Sequence, residues 1–256
     1  MELGLVGKIV LVTGSTKGIG LKTAELFLKE GAKVWLNGRS EASVAAGKKA
    51  LLAAVPSGSV STVVGDVGTE AGLAAVTAAL PTVDVLVNNA GIFKPEEFTS
   101  IPRASWLRMF EVNVLSGALL TQHYLPRMIA RNWGRVIFVS SESALNIPQE
   151  MVHYGMTKTA QLAVARGAAE TCRGTRVTVN SVLPGPTLSD GVDTFVKELG
   201  LTEAKFFKEA RPTSIAQRFA TTEEIGNMIV FVASERASMV NGAALRVDGG
   251  TAKVVF

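Results

Sequence analysis

Runs of consecutive apolar, mostly β-branched residues recur along the chain, with segments of helical spacing between them. The runs are KIVLVTG (8–14), AKVWLNG (32–38), SVSTVVGD (59–66), VDVLVNNAG (83–91), GRVIFVSS (134–141) and RVTVNSVLPG (176–185), and a short one closes the series in AALRVDGG (243–250). A strand that is apolar at nearly every position, and not at every second one, is covered on both faces. The helical segments 18–30, 41–54 and 105–131 fall between the runs, which is where parallel neighbours need their crossovers. The pattern predicts an α/β fold: a doubly wound parallel sheet of about seven strands with helices on both faces. The longest late interval, 186 to about 241, carries two helical patterns, 202–210 and 222–234. Its first part, 186–212, is the expected lid over a site. No repeat or linker divides the chain, so 1–256 is expected to be one domain.

Composition narrows the partners. Of 256 residues 47% are hydrophobic and 19% charged, a globular balance with enough chain to bury a core without staples. The net charge of +4 comes from scattered Lys and Arg, with no run that tracks a phosphate backbone, so nucleic acid is not expected. Cys172 is the single cysteine, which rules out an internal disulfide and a thiolate cluster. The opening MELGLVGKIVLVTG lacks a signal-peptide pattern, and no apolar run reaches the ~18 residues of a membrane span. No membrane association and a cytoplasmic location are expected.

Candidate chemistry begins at the end of the first run, in TGSTKGIG (13–20), which leads directly into a helical pattern. Gly14 permits a tight turn, Gly18 lets backbone approach a pyrophosphate, Gly20 lets the helix pack closely, and the helix start offers free N–H groups to an anion. The second run ends in Asn37, Gly38 and Arg39, with no carboxylate to pair with ribose hydroxyls. Arg39, with Lys17 in the glycine turn, therefore predicts preference for a 2′-phosphate, hence NADP(H), with NAD(H) possible. Further on, Tyr154 and Lys158 in MVHYGMTKTA stand at i and i+4, on one face of a helix.

The glycine spacing Thr-Gly-x-x-x-Gly-x-Gly, followed by GDVG (65–68), NNAG (88–91), Asn113, Ser141, Tyr154, Lys158, LPGPT (183–187) and VDGG (247–250), resembles the short-chain dehydrogenase/reductase family over essentially the whole chain. The resemblance implies a single Rossmann-like domain and a catalytic set of Asn113, Ser141, Tyr154 and Lys158. It also implies a cofactor cradle of Gly14, Thr16, Lys17, Gly18, Ile19 and Gly20, with Asp66 and Val67 at the adenine. Asn89, Ala90 and Gly91 would pass close to the cofactor, Pro184, Gly185 and Thr187 would lie along the nicotinamide, and Tyr154 and Lys158 would reach its ribose. In the family, lysine bonds that ribose, serine holds the substrate oxygen, and asparagine anchors a water that links lysine to solvent. Dimers or tetramers through the two long central helices are expected on the same ground.

Ketone reduction needs a proton donor at oxygen, and Tyr154 can supply it. An ordinary phenol, with pKa ~10, is a reluctant base for the reverse reaction, so a nearby cation is required, and Lys158 is the candidate. The substrate is thus expected to be a small carbonyl compound or alcohol, in a partly apolar pocket drawing on Leu145, Ile147, Met151, Phe195, Phe206 and Phe207. A 3-oxoacyl-carrier-protein reductase is an alternative. Relatives of that kind carry arginines at positions corresponding to Asn132 and Thr175, with only Arg131, Arg173 and Arg176 nearby here. A non-catalytic dinucleotide sensor or scaffold is the alternative from another class. His123 and His153 lack ligand spacing, so no metal is expected. Glu142 is read first as a solvated carboxylate, with a place lining the substrate mouth as the alternative, and His153 and Met156 are read as structural.

Overall fold

The structure, a computed structural model, describes residues 1–189, 192 and 202–255. Seven parallel strands form the main sheet: β1 (Ile9–Val12), β2 (Lys33–Gly38), β3 (Ser59–Val64), β4 (Val85–Asn88), β5 (Gly134–Val139), β6 (Val177–Pro184) and a last strand, β9 (Ala244–Val247). Their order across the sheet is β3-β2-β1-β4-β5-β6-β9. A short parallel pair, β7 (Thr187–Leu188) with β8 (Ala220–Thr221), stands apart from it. The helices are α1 (Gly18–Lys29), α2 (Glu41–Ala54), α3 (Glu70–Ala79), α4 (Arg103–Phe110), α5 (Ser116–Ala130), α6 (Val152–Thr171), α7 (Glu203–Glu209) and α8 (Thr222–Ala233). Among the described residues no helix is long and apolar enough to cross a membrane.

Both sheet faces are buried because side chains alternate along each strand. Val10 and Val12 of β1, with Val85 and Val87 of β4, join Phe27 of α1, Leu51 of α2 and Ile229 of α8 in one core. Leu11 and Leu86, on the same strands, join Val76 of α3, Tyr124 and Met128 of α5 and Ala165 of α6 in the other. The continuous apolar runs thus feed two cores at once. The chain reverses its winding at β1, whose neighbours are β2 and β4, and doubly wound sheets bind ligands at the strand ends beside such a reversal.

The predicted helix 105–131 is interrupted. A π turn, Glu111–Leu115, separates α4 from α5 and carries Asn113 at its centre. The predicted lid 186–212 falls in part on residues 190, 191 and 193–201, outside the described residues, as does Phe195. Its described parts are β7 and α7.

Candidate active site

Beside the reversal, β1 and β4 are fastened to each other. The Thr13 hydroxyl accepts the N–H groups of Asn89 and Ala90, each at 3.0 Å, and Asn89 Nδ2 donates to the carbonyls of Thr13 (2.9 Å) and Gly14 (3.1 Å). Gly14 has φ +59, the left-handed region that favours glycine, and Gly18 has φ +58. A Cβ on Gly20 would lie 2.5 Å from Asn89 Nδ2 and 2.8 Å from Gly14 O, so a side chain there would force the start of α1 away from the turn. Helix α1 has no side-chain cap, as α4, α5 and α6 have none, whereas α2, α3, α7 and α8 each begin with a Ser or Thr hydroxyl capping an N–H. An uncapped helix start behind a glycine turn fits the pyrophosphate of a dinucleotide.

The rest of the cradle divides by depth. Thr16 packs against the end of β2, where a Cβ on Gly38 would meet its Cγ2 at 2.5 Å. Lys17 and Arg39 are exposed, and among the described residues neither has an ion-pair partner. Asn37 is turned inward: its Oδ1 accepts Gly14 N–H at 3.1 Å and its Nδ2 donates to Val63 O and Gly65 O. Beyond β3, Val67 is buried in the second core, and the Asp66 carboxylate takes Arg108 Nη2 at 2.9 Å and Gly68 N–H at 3.0 Å. Arg108, absent from the sequence prediction, thus holds the aspartate expected at the adenine.

A cavity of about 490 Å³ continues from this cradle, and Ile19, Asn89, Gly91, Pro184, Gly185 and Thr187 lie in its wall. Ser141, Tyr154 and Lys158 line it as well. Gly185 has to be glycine for the proline turn to meet the last strand, because a Cβ would sit 2.6 Å from Asp248 Cα. Of the expected pocket residues, Met151 and Phe206 line the cavity. Phe207 packs with Phe206 and Phe219, and Leu145 and Ile147 are each about two-fifths exposed.

Helix α6 presents Tyr154, Lys158 and Gln161 at i, i+4 and i+7 along one stripe. The helix is anchored to β5 by Ser140 Oγ, which donates to Lys158 O at 2.8 Å. Lys158 is buried, its Nζ donates to Val139 O at 2.9 Å, and it lies 5.6 Å from the centroid of the Tyr154 ring. Burial, which disfavours the ammonium, pulls its pKa down to about 8. The Tyr154 phenol is pushed well above the ordinary range, first by burial and then by the Glu142 carboxylate, with Ser141 and Arg211 opposing.

Asn113 lies behind Gly91, and a Cβ on that glycine would be 3.4 Å from Asn113 Oδ1 and 3.5 Å from Lys158 Nζ. Its side chain is fully used: Oδ1 accepts Ile92 N–H at 2.8 Å, and Nδ2 donates to Ile92 O and to Thr157 Oγ1. The π turn points Asn113 at the loop after β4 and at α6 together.

Of the two readings of Glu142, the structure overturns the solvated one. The residue is 5% exposed and lines the cavity, not solvated at the surface. One oxygen accepts Ser141 Oγ–H at 2.6 Å and Ser143 N–H at 2.9 Å, and the other pairs with Arg211 Nε at 3.3 Å. Arg211, just beyond α7, supplies the cation that makes this burial tolerable, and its distance in sequence hid the pair. His153 is fully buried, edge-on to Trp106 and 3.2 Å from Glu96 Oε2. Among the described residues no group of His, Cys, Asp and Glu is placed to hold a metal.

Known proteins share this architecture. The family model described as Enoyl-(Acyl carrier protein) reductase matches residues 14–252. The uncharacterized oxidoreductase YvaG of Bacillus subtilis is 48% identical, with 100% of both chains covered. The 3-oxoacyl-[acyl-carrier-protein] reductase FabG of Aquifex aeolicus is 31% identical over 98% of this chain and 99% of that one. L-sorbose reductase from Gluconobacter frateurii, solved in complex with NADPH and L-sorbose, is 31% identical with a TM-score of 0.90, covering 100% of both chains. With the matching model running from the glycine turn to beyond the last strand, the chain belongs to the short-chain dehydrogenase/reductase family, oxidoreductases that use a nicotinamide dinucleotide.

Proposed function

We propose that this enzyme moves a hydride between NADP(H) and a ketone or secondary alcohol, with Tyr154 as general acid and base. The observation that carries the reading is the convergence of Ser141, Tyr154 and Lys158 on one cavity continuous with the glycine turn. When bound, the nicotinamide supplies or accepts the hydride. Tyr154 holds the proton for the developing alkoxide, and its raised pKa keeps that proton in place at neutral pH. Lys158, near the phenol, offsets the charge left when the proton departs. Ser141, its Oγ accepting Ser143 N–H at 3.1 Å, turns its own proton from Glu142 to the substrate oxygen. Lys17 and Arg39, exposed and unpaired among the described residues at the adenosine end, support NADP(H) over NAD(H).

The substrate is small and partly apolar on this reading, since Ile92, Phe93, Met151 and Phe206 share the cavity wall with the Glu142–Arg211 pair. The 3-oxoacyl-carrier alternative draws on relatives with that name, but Arg131, Arg173 and Arg176 are each engaged by a carboxylate, of Asp84, Glu170 and Glu235 respectively. Leu107, Leu115 and Leu119, each about two-fifths exposed along α4, the π turn and α5, support a homo-oligomer.

The test is a panel of ketones and alcohols, including free and carrier-bound 3-oxoacyl groups, run with NADPH and NADH side by side. Tyr154→Phe is expected to keep NADPH affinity within about threefold while turnover falls by about 10²-fold or more. Retained turnover would overturn the assignment. Tight cofactor binding with no turnover on any substrate would instead favour the non-catalytic alternative.

A further inference from the structure

Gln161 belongs to no motif of the sequence, yet its side chain ties together two groups behind the site. It is 1% exposed, and its two amide atoms face unlike partners. Nε2 donates to the main-chain carbonyl of Asn113 at 2.5 Å, and Oε1 accepts from Lys158 Nζ at 3.4 Å. The orientation of the amide is fixed by chemistry: a carbonyl only accepts and an ammonium only donates, so nitrogen must face Asn113 and oxygen must face Lys158.

We propose that Gln161 is a positioning residue whose side-chain amide directly bridges the Asn113 carbonyl to the Lys158 ammonium, holding the ammonium beneath Tyr154. The proposal rests on the reading above, in which Lys158 works with Tyr154. The bridge has two physical consequences. It gives the ammonium a second carbonyl partner beside Val139 O, at a depth where water is scarce. It also couples the π turn to α6, so the loop after β4, the turn and the lysine move as one body, with Asn113 Nδ2 to Thr157 Oγ1 as a parallel tie.

Among the described residues Lys158 has no carboxylate partner to mask the effect. On its own helix the facing titratable group is Tyr154, and the loop after β5 brings Glu142, whose oxygens are committed to Ser141, Ser143 and Arg211. Arg211 and Glu150 are the other charged side chains on the cavity wall among the described residues. The π turn and the Pro184–Gly185 turn bring uncharged groups. An acceptor removed from the ammonium therefore acts on its protonation directly: loss of the Oε1 lone pair disfavours the charged form, and a carboxylate in its place favours it.

The experiment uses the full chain labelled with ¹³C at lysine Cε. The Lys158 resonance is identified by its loss in Lys158→Met and followed by NMR from pH 6 to pH 11. Gln161→Met keeps the length and volume of the side chain without its amide, and is expected to move the Lys158 midpoint down by about one pH unit. Gln161→Glu, nearly isosteric, is expected to move it up by a similar amount, about one pH unit. Shifts of opposite sign support the bridge. Midpoints that stay within about 0.3 pH unit of wild type in a folded Gln161→Glu protein, or that move the same way in both variants, overturn it. If Gln161→Met fails to fold, the Gln161→Glu titration decides alone. The readout needs no substrate, so a wild-type protein inactive on every ketone would sink the proposed function and leave the bridge to be judged by the titrations.

Discussion

Glu142 sets a charge beside the proposed proton donor that sequence order alone does not announce. Its carboxylate raises the Tyr154 pKa, because a neighbouring anion disfavours the phenolate. Removing the charge should do the reverse. In Glu142→Gln the phenol is expected to become more acidic by about one pH unit, so the alkaline limb of ketone reduction and the acid limb of alcohol oxidation both move to lower pH. Steady-state pH profiles in both directions check this, and limbs that stay in place would show that the Glu142 charge does not set the phenol. The residues proposed to act on substrate were brought to one cavity as short local patterns suggested: Ser141 at a strand end, Tyr154 and Lys158 one helical turn apart. Those proposed to tune them were not legible in this way. Glu142 stands in a polar stretch, SSES, that reads as a surface turn until Arg211 closes over it from a remote segment. Gln161 did carry a signal, a polar residue seven positions after Tyr154 on the buried stripe of α6, but one amide at helical spacing has no chemistry until its partners are known.

At the scale of elements, the glycine turn and α1 act as a single part whose tolerance is set by the room at one position. A methyl at Gly20 would meet Asn89 Nδ2 and Gly14 O well inside van der Waals distance. Gly20→Ala is therefore expected to cost about 1–3 kcal/mol of stability and to weaken dinucleotide binding by about tenfold or more, since α1 must shift relative to the loop after β4. Urea unfolding of the cofactor-free protein and a fluorescence titration with NADPH measure the two effects separately. The strands were plain in the sequence because burial on both faces leaves uninterrupted apolar runs. Helix α3 was not, since Glu70–Ala79 consists largely of Ala, Gly and Thr, with Leu73 and Val76 as its larger apolar side chains. The break at Glu111–Leu115 was equally hidden. A π turn keeps the helical hydropathy pattern and adds one residue to a hydrogen-bonded loop, so only its geometry reveals it.

Across the whole molecule, the fastening of β1 to β4 joins two halves to which the proposed function gives different work: β1 to β3 the adenosine end, β4 to β6 the reacting groups. A dinucleotide laid over that junction would contact both halves at once, and binding only to the folded state adds to its stability. At a hundredfold excess over its dissociation constant, NADPH is expected to stabilise the fold by about 2.7 kcal/mol, raising the melting temperature by roughly 5–10 °C for a chain of this size. NADH at the same concentration should give a smaller shift, because its adenosine ribose carries no 2′-phosphate for Lys17 and Arg39. The cause can be isolated. Arg39 is exposed and without an ion-pair partner among the described residues, so Arg39→Ala should leave the melting temperature of the cofactor-free protein unchanged within about 1 °C. In that variant the NADPH shift should shrink toward the NADH shift, while the NADH shift itself stays where it was. Thermal unfolding of both proteins with each cofactor completes the comparison, and equal NADPH and NADH shifts in the wild type would remove the charge argument for NADP(H).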